Sequence, residues 1–493
     1  MMKKQVKHVK NEEVILTIEG MNHEGMGVAR LDGMAIFVQG ALIGEQVQAK
    51  LIKVATTYAI ARVVELLVES PERKEPFCPV YRKCGGCSLQ HMSYAESLRF
   101  KHQVVQDSLE RLGGFKGIEV KAVIGMDHPF QYRNKAQYPL GMDGKRTIAG
   151  FYSRRTHDIV DASECGIQHP SSELVRAAVL SWVTENKVPV YNEETGEGLV
   201  RHIVSRVGIR TGEVLAMLVA NKKRIPVPEK LVNKLKKMVP GITGIVLNVN
   251  EDPGNVILGE ENYILYGTPV LADKLCDMTF EISPLSFYQV NPEQTEVLYR
   301  KAIDAADLKR TDTVFDLYCG IGTISLVAAK KAGKVIGVEV VEEAVETAQE
   351  NARKNRVTNA EFHIGTAEDV VPKLRAEGVH ADVVIVDPPR KGCDHKLLET
   401  ILTMKPERIV YVSCNPSTLA RDLKFLCVAK ATTAIDSGKM GNGNGEEDVS
   451  VDGPNATVTP AGGIPAYQVV SVQPVDMFPW TEHVECVVLM SRV

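Results

Sequence analysis

The sequence contains no long uninterrupted apolar segment, no excess of basic residues and no apolar core behind its first lysines. A membrane-spanning helix needs about 18 consecutive apolar residues, so none is expected. The 58 Lys and Arg residues and 62 Asp and Glu residues give a net charge of −4, which excludes a uniformly basic coat but not a local basic face. The opening segment, MMKKQVKHVKNEE, does not fit a secretory signal. We therefore expect a cytoplasmic protein with no membrane partner.

The chain has 493 residues, enough for about three domains, and ten cysteines. A disulfide framework is not expected in the cytoplasm, so metal ligands or reactive thiols explain the cysteines better. Three are clustered in the spacing Cys78-x5-Cys84-x2-Cys87, and Cys165 follows later. Four thiolates suit zinc or an iron–sulfur cluster, and the spacing leaves both open. Cys165 is the weaker assignment, because other cysteines could serve as the fourth ligand.

Strand and helix patterns divide the chain into three parts. Residues 1–70 contain five short β-branched runs between glycines, which predicts a small β-barrel of the OB type. Residues 71–275 combine strand-like runs with a helix predicted over residues 94–112, and indicate only a mixed α+β domain. Residues 276–493 alternate near-continuous apolar strands with helices, which predicts a Rossmann-like, doubly wound parallel sheet. Residues 432–466, rich in Gly, Asn, Ser, Thr and Pro, predict a flexible insertion in it.

The motif DLYCGIG, residues 316–322, lies where a strand meets a helix. Glycines there let the backbone approach a ligand, and the helix start offers free amide groups. Glu339 ends the next strand, where an acidic side chain can bind both ribose hydroxyls of a nucleoside cofactor. Ser325 stands where a dinucleotide fingerprint has its third glycine. That substitution disfavours a dinucleotide, yet it leaves both a dinucleotide and S-adenosylmethionine open.

Two more motifs follow later strands of the same sheet, at the edge where ligands bind. Asp387 opens DPPRKG, in which two prolines fix a stiff turn and remove two amide donors. Cys414 lies in VSCNP after the following strand. A free cysteine is often a buried small residue, but the flanking Ser, Asn and Pro indicate a loop. We interpret Cys414 as a nucleophile that faces the cleft.

The motifs SFYQVN, DLYCGIGT, GVEV, DPPRKG, VSCNP and FPWTEHVE together resemble those of the RNA (uracil-5-)-methyltransferase family, over nearly the whole chain. The resemblance implies an N-terminal TRAM barrel, a cysteine-cluster domain and a methyltransferase domain that uses S-adenosylmethionine. It also implies the following roles: Gln289, Tyr318, Glu339 and Asp387 bind S-adenosylmethionine; Phe287 stacks near the target base; Cys414 is the nucleophile; Glu485 is the general base; and Cys78, Cys84, Cys87 and Cys165 hold a 4Fe-4S cluster.

Uracil chemistry explains why such residues are needed. C5 of uracil is a poor nucleophile, and addition of the Cys414 thiolate at C6 gives an enolate with electron density on C5. After methylation a base must remove the C5 proton so that the thiolate can leave, and Glu485 fits that role. The target base must leave its stack, so an aromatic such as Phe287 and an RNA-binding surface are expected.

Several alternatives remain open. A cytosine-5 RNA methyltransferase would be expected to carry a second cysteine in the fourth-strand motif, where this chain has Asp387-Pro-Pro. An amino-group methyltransferase would have no need of Cys414. A non-catalytic RNA-binding protein would need neither Cys414 nor Glu485. Among RNA substrates, the combination of TRAM and cysteine cluster favours large-subunit ribosomal RNA over transfer RNA, by analogy.

Overall fold

A computed structural model describes residues 8–428 and 466–493 of the chain. Apart from Ala466, the insertion predicted at 432–466 lies outside these described residues. The described part contains one six-stranded sheet, two seven-stranded sheets and a two-stranded hairpin. None of its helices is both long enough and apolar enough to cross a membrane.

The six-stranded sheet comes first in the chain. Its strands are β1 (Glu13–Thr17), β2 (Gly20–Met21), β3 (Gly27–Leu31), β4 (Met34–Gln39), β5 (Gln46–Val54) and β6 (Tyr58–Val68), in the order β1-β5-β6-β4-β3-β2. Alternate side chains of these strands, such as Val47, Ala49 and Leu51 in β5, point into one apolar core. The five predicted strands are all present, and the short β2 is an addition.

Helix α1 (Tyr94–Asp107) follows the cysteine cluster and continues into a π-helical turn, Ser108–Gly113. The Ser93 side chain accepts a hydrogen bond from the Glu96 amide and so caps the N-terminus. Gly114, with φ of +80°, ends the helix in the left-handed conformation that glycine tolerates best. The predicted helix over residues 94–112 is confirmed.

A mixed seven-stranded sheet with two helices follows. Its elements are β7 (Lys135–Asp143), β8 (Arg146–Tyr152), β9 (Ile159–Asp161), α2 (Pro170–Glu185), β10 (Val200–Val207), β11 (Val214–Ala220), α3 (Pro228–Met238), β12 (Ile242–Val249) and β13 (Glu261–Gly267). The strand order is β13-β12-β11-β10-β7-β8-β9, and only β11 and β12 run parallel. Both helices pack on the sheet through an apolar core around Trp182.

The last sheet carries the alternating strand–helix pattern. A hairpin, β14 (Leu271–Leu275) and β15 (Met278–Ile282), precedes it. The remaining elements are α4 (Pro292–Ala306), β16 (Thr313–Leu317), α5 (Thr323–Ala329), β17 (Lys334–Glu339), α6 (Glu342–Lys354), β18 (Ala360–Ile364), α7 (Ala367–Ala376), β19 (Val383–Val386), α8 (His395–Met404), β20 (Arg408–Ser413), α9 (Pro416–Val428), β21 (Tyr467–Val475) and β22 (Glu485–Arg492).

The strand order of this sheet is β18-β17-β16-β19-β20-β22-β21. The five strands from β16 to β20 are parallel, whereas β22 is antiparallel to both β20 and β21. Val314 faces one apolar core and Phe315 the other, so the sheet is covered on both sides. The predicted doubly wound α/β fold is confirmed, with one reversed strand, β22, near the edge that the pattern did not distinguish. The strand order reverses direction beside β16, which is where such sheets bind ligands.

Candidate active site

The glycine turn after β16 forms the floor of the site. Tyr318 has φ of +146°, a conformation that L side chains rarely adopt, and Gly320 and Gly322 also have positive φ. A Cβ on Gly322 would lie 3.1 Å from the side chains of Ala348 and Phe362, so glycine is required for packing as well as for conformation. The turn therefore brings bare backbone to the carboxyl edge of the sheet, as a ligand-binding turn requires.

Glu339 ends β17 beside this turn and fixes its shape. One carboxylate oxygen accepts from the Gly320 amide at 3.2 Å. The other accepts from the amides of Val340 and Val341 at 2.8 and 3.0 Å. The side chain is half-buried, so its outer face stays available to a ligand. These bonds tie the ends of β16 and β17 together.

Asp316 is a second buried carboxyl group on this edge. Its Oδ2 accepts from the Ser325 hydroxyl at 2.6 Å, whereas its Oδ1 has no hydrogen-bond partner among the described residues. Burial raises the pKa of Asp316 to about 7, and the nearby carboxylates of Asp387 and Glu339 add to the increase. An arrangement of three carboxyl groups with an unused oxygen is suited to a cationic ligand.

Asp387 follows β19 and lies between the turn and the second half of the site. Burial raises its pKa to about 6, and a hydrogen bond from the Gln289 side chain acts in the opposite direction. Gln289 itself is buried. Asn134 holds this loop with two hydrogen bonds. Its side-chain amide donates to the Gln289 carbonyl at 3.0 Å, and its backbone amide donates to the Val290 carbonyl at 2.9 Å. Gln289 and Asp387, which were both predicted to bind the cofactor, are therefore in contact through this side-chain hydrogen bond.

Arg206 holds the other end of the same loop. The guanidinium donates to the carbonyls of Pro284, at 3.2 Å, and Ser286. Arg206 is buried, and desolvation lowers its pKa to about 10. Phe287, between these anchors and Gln289, is 70% exposed, so its ring is free to meet an incoming base.

Cys414 and Glu485 face each other across neighbouring strands. Cys414 follows β20 and Glu485 begins β22, directly beyond the last strand pair, Ser413 with Cys486, and the two side chains are close enough to interact electrostatically. Cys414 is half-buried, while Glu485 is 3% exposed and its Oε2 has no hydrogen-bond partner in the described chain. The antiparallel pairing of β20 and β22 therefore assembles a thiol and a carboxyl group that lie 71 positions apart in sequence.

Burial dominates the proton affinities of this pair. Desolvation raises the pKa of Cys414 to about 11, helped by the carboxyl groups of Glu485 and Asp387. Desolvation and Asp387 likewise raise the pKa of Glu485 well above its usual range. The Arg390 guanidinium acts against both shifts.

Arg390 is the main site residue to which the sequence analysis assigned no role. Its Nη2 lies 3.2 Å from His483 Nε2, and its carbonyl accepts from the side chains of Asn415, at 3.1 Å, and Thr418, at 3.3 Å. It thus connects the loops that carry Asp387, Cys414 and Glu485. The only available signal was its place directly after Asp387-Pro-Pro.

The ring of Tyr318 lies beside a different set of groups from Asp316, Glu339 and Asp387. Its phenol is partly buried near Cys393, Glu368 and Asp394, and burial raises the pKa of the hydroxyl. The backbone of Tyr318 forms part of the glycine turn.

The four clustered cysteines line one cavity of about 160 Å³. Cys84 is buried, and Cys78, Cys87 and Cys165 are partly buried. Gln90, Gln168 and Arg133 complete the walls. Within residues 8–428 and 466–493, no group of three or more His, Cys, Asp or Glu side chains is arranged to hold a metal ion. The sequence-predicted cysteines are brought together, and their ligand stays a prediction.

The strand order, the glycine turn and the acidic edge define an α/β protein of the methyltransferase fold class. The family model for tRNA (Uracil-5-)-methyltransferases matches residues 249–435, and the TRAM domain model matches residues 7–64. The chain belongs to the RNA (uracil-5-)-methyltransferase family, as the motifs predicted. An uncharacterized RNA methyltransferase of Halalkalibacterium halodurans is 46% identical and covers 100% of this chain and 99% of its own length. An uncharacterized RNA methyltransferase of Clostridium tetani is 44% identical and covers 99% of this chain and 98% of its own length.

A solved structure matches the whole architecture. The Pyrococcus abyssi tRNA (uracil-54, C5)-methyltransferase, crystallised with S-adenosyl-L-homocysteine, superposes with a TM-score of 0.73 and 28% identity. The match covers 97% of this chain and 99% of that one.

Proposed function

We propose that this protein transfers a methyl group from S-adenosylmethionine to C5 of a uridine in RNA. The observation that carries the proposal is the proximity of Cys414 and Glu485, beside Asp387. A thiol nucleophile and a buried carboxyl base are the two groups that C5 methylation of uracil needs. Neither an amino-group methyltransferase nor a non-catalytic RNA-binding protein needs this thiol and this carboxyl base.

The edge of the sheet fits S-adenosylmethionine. Glu339 is placed to accept from ribose hydroxyls, as in other nucleoside-binding sheets. Asp316, with its unpartnered Oδ1, and Asp387 offer carboxyl oxygens to a molecule that bears a sulfonium and an ammonium group, and those positive charges favour ionisation of both carboxyl groups. When bound, S-adenosylmethionine supplies an electrophilic methyl group, and we assign Gln289, Tyr318, Glu339 and Asp387 to its binding.

The reaction then divides between the two facing residues. The Cys414 thiolate adds to C6 of the flipped uracil, and the electron pair of the C5–C6 bond moves toward C5 and the O4 carbonyl. Once C5 carries the methyl group, Glu485 removes the C5 proton. The electrons of that C–H bond restore the C5–C6 double bond, the C6–S bond breaks, and Cys414 leaves as thiolate. Phe287 stacks on the extruded base.

The proposed RNA substrate is large-subunit ribosomal RNA, with transfer RNA as the second candidate. The first choice comes from the combination of TRAM and cysteine cluster. Transfer RNA is supported by the similarity to the P. abyssi enzyme, a tRNA (uracil-54, C5)-methyltransferase that superposes on 97% of this chain. We further propose a three-part division at 1–70, 71–275 and 276–493.

We also propose that Cys78, Cys84, Cys87 and Cys165 hold a 4Fe-4S cluster. Four thiols on one cavity wall match the ligand set of such a cluster, and Arg133 beside them offsets negative charge. No step of the reaction is assigned to it. Iron and sulfide analysis of protein purified without oxygen tests the assignment, and zinc in place of iron would overturn it.

Methyl transfer from labelled S-adenosylmethionine to ribosomal RNA and transfer RNA, followed by mass spectrometry of the nucleosides, tests the main proposal. 5-Methyluridine in ribosomal RNA is expected. The same nucleoside in transfer RNA alone would keep the reaction and replace the substrate. 5-Methylcytidine, or no methylation of either RNA, would overturn the roles of Cys414 and Glu485.

A further inference from the structure

The segment that leads into Glu485 is held by side chains from far upstream. This connecting segment, residues 476–484, joins β21 to the start of β22. Lys101 Nζ lies 2.5 Å from Asp476 Oδ1 and donates to the Phe478 carbonyl at 3.0 Å. Tyr94 donates its hydroxyl to Asp476 Oδ2 at 2.8 Å. Lys101 and Asp476 are both fully buried, so α1 fixes the first half of the segment.

The second half is fixed by the loop that carries the cysteines. The carbonyl of Trp480 accepts from the backbone amides of Ser88, at 2.9 Å, and Leu89, at 3.0 Å. The Ser88 hydroxyl donates to Glu482 Oε2. The Trp480 indole donates to the Pro129 carbonyl at 2.7 Å, and its φ of +68° is unusual for a bulky residue. The hydrogen bonds of Trp480 with Ser88, Leu89 and Pro129 hold it in this conformation.

Trp480 also packs against the neighbours of the cysteine cavity. Phe77 directly precedes Cys78, and its ring centroid lies 5.3 Å from that of Trp480. Cys87 and Cys165 pack on the apolar cluster that contains Trp480. Cys87 and Cys165 therefore contact the apolar cluster around Trp480, and Cys78 is next to a residue, Phe77, that does so.

Strand pairing holds the backbone of Glu485, whereas one oxygen of its side chain, Oε2, makes no hydrogen bond within the described chain. β22 pairs with β20 from Cys486 onward, and Glu485 itself pairs with Val475 of β21. The connecting segment is the loop that joins these two paired residues, Val475 and Glu485. Its conformation therefore sets how the chain enters β22 at Glu485.

We propose that Ser88 is a positioning residue for Glu485, through which the cysteine-bearing loop sets the geometry of proton removal from C5. This inference rests on the proposed function. Loss of the Ser88–Glu482 hydrogen bond leaves the connecting segment less constrained, which moves Glu485 relative to C5. Addition of Cys414 does not depend on Glu485 as base, so the covalent protein–RNA adduct still forms and its breakdown slows.

The test measures the fraction of enzyme trapped as adduct and the rate of product release in single turnover. Ser88→Ala should slow release by about tenfold and raise the adduct fraction, since a hydrogen bond to a charged group is lost. Ser88→Thr keeps a hydroxyl and should restore release. Glu482→Ala breaks the same bond from the other side, and the double variant should be no slower than either single one. Ser181→Ala, which removes a Ser–Glu hydrogen bond on α2, is the matched control.

Glu485→Gln, measured in parallel, separates the two proposals. If Glu485→Gln traps the adduct but Ser88→Ala and Glu482→Ala release product at the native rate, the positioning role is wrong and the proposed function stands. Additive effects of the two single variants would also overturn it. If no variant, Glu485→Gln included, forms an adduct, the proposed reaction itself is wrong.

Discussion

The carboxyl group of Asp387 adds to the effect of burial, which is the larger cause, in raising the pKa of Glu485. A carboxyl group whose pKa is raised is a stronger base once its proton has left, which suits the proton removal that we propose for Glu485. The Arg390 guanidinium opposes this shift and favours the ionised form. Burial, one acidic neighbour and one basic neighbour together determine the base strength of Glu485.

Replacement of Cys414 by Ala should abolish methyl transfer, because no nucleophile remains to activate C5. Binding of S-adenosylmethionine, measured by calorimetry, should change by less than about threefold, since the residues assigned to that ligand are untouched. Cys427→Ala, a buried cysteine on α9 outside the site, serves as control. Normal turnover by Cys414→Ala would disprove the nucleophile.

Replacement of Glu485 by Gln should block proton removal while permitting addition of Cys414. The expected product is a covalent protein–RNA adduct, visible as a band of reduced mobility on a denaturing gel. The amide keeps the size of the side chain, so the fold should persist. Full activity without an adduct would exclude Glu485 as the base.

The pKa of Cys414, about 11, predicts a steep pH dependence for its alkylation in the free protein. Only the thiolate reacts, so the iodoacetamide rate at Cys414 should rise about tenfold per pH unit between pH 7 and 10. Arg390→Ala removes the cation that lowers this pKa and should slow alkylation at pH 8, whereas Arg390→Lys should preserve the rate. Peptide mass spectrometry assigns the modified cysteine. A rate that is flat with pH would show that burial does not control this thiol.

Asp316 should make the folded protein less stable as pH rises. Its folded pKa of about 7 exceeds the value of about 3.9 expected in the unfolded chain. Its favourable contribution is therefore complete below about pH 4 and is lost as pH rises through 7. Urea unfolding at pH 5 and pH 8 measures how much the free energy of unfolding falls as pH rises. That fall should be smaller by about 2 kcal/mol in Asp316→Asn than in the native chain. Equal losses in both proteins would contradict the raised pKa.

The buried pair of Lys101 and Asp476 should be costly to break. Lys101→Met leaves the Asp476 charge without its cation and should reduce the free energy of unfolding by about 3–5 kcal/mol. The double variant Lys101→Met, Asp476→Leu replaces both charges by apolar groups and should recover most of that loss. Denaturant unfolding measures all three proteins. A small effect of Lys101→Met alone would mean that the pair is not buried in solution.

Local patterns predicted the parts of this site that a short stretch of chain builds. The turn after β16 and the positions of Glu339, Asp387 and Cys414 follow from strand–turn–helix order, since parallel strands bring their carboxyl ends to one edge. The antiparallel direction of β22 did not follow, because an apolar run carries no strand direction. The orientation of the Tyr318 ring was also beyond the pattern, because it depends on a φ of +146°.

Long-range polar contacts could not be predicted from the sequence. Ser88 and Glu482 are 394 positions apart, and Asn134 and Gln289 are 155 apart. Each of these residues resembles an ordinary polar loop residue in its own segment. The role of Glu485 came only from the family resemblance, because an acidic residue at a strand start is common on solvated surfaces.

The distance along the chain between Ser88 and Glu482 also has a consequence for biosynthesis. During translation the cysteine-bearing loop and α1 emerge early. The residues that they anchor emerge much later, since Asp476 lies 388 positions after Ser88. A nascent chain can therefore fold its six-stranded sheet and α1 well before Glu485 exists. Contacts of such long sequence separation form late and slowly. A ribosome-bound chain that ends before Glu485 lacks the base that we propose for proton removal, so we expect it to be unable to complete a turnover.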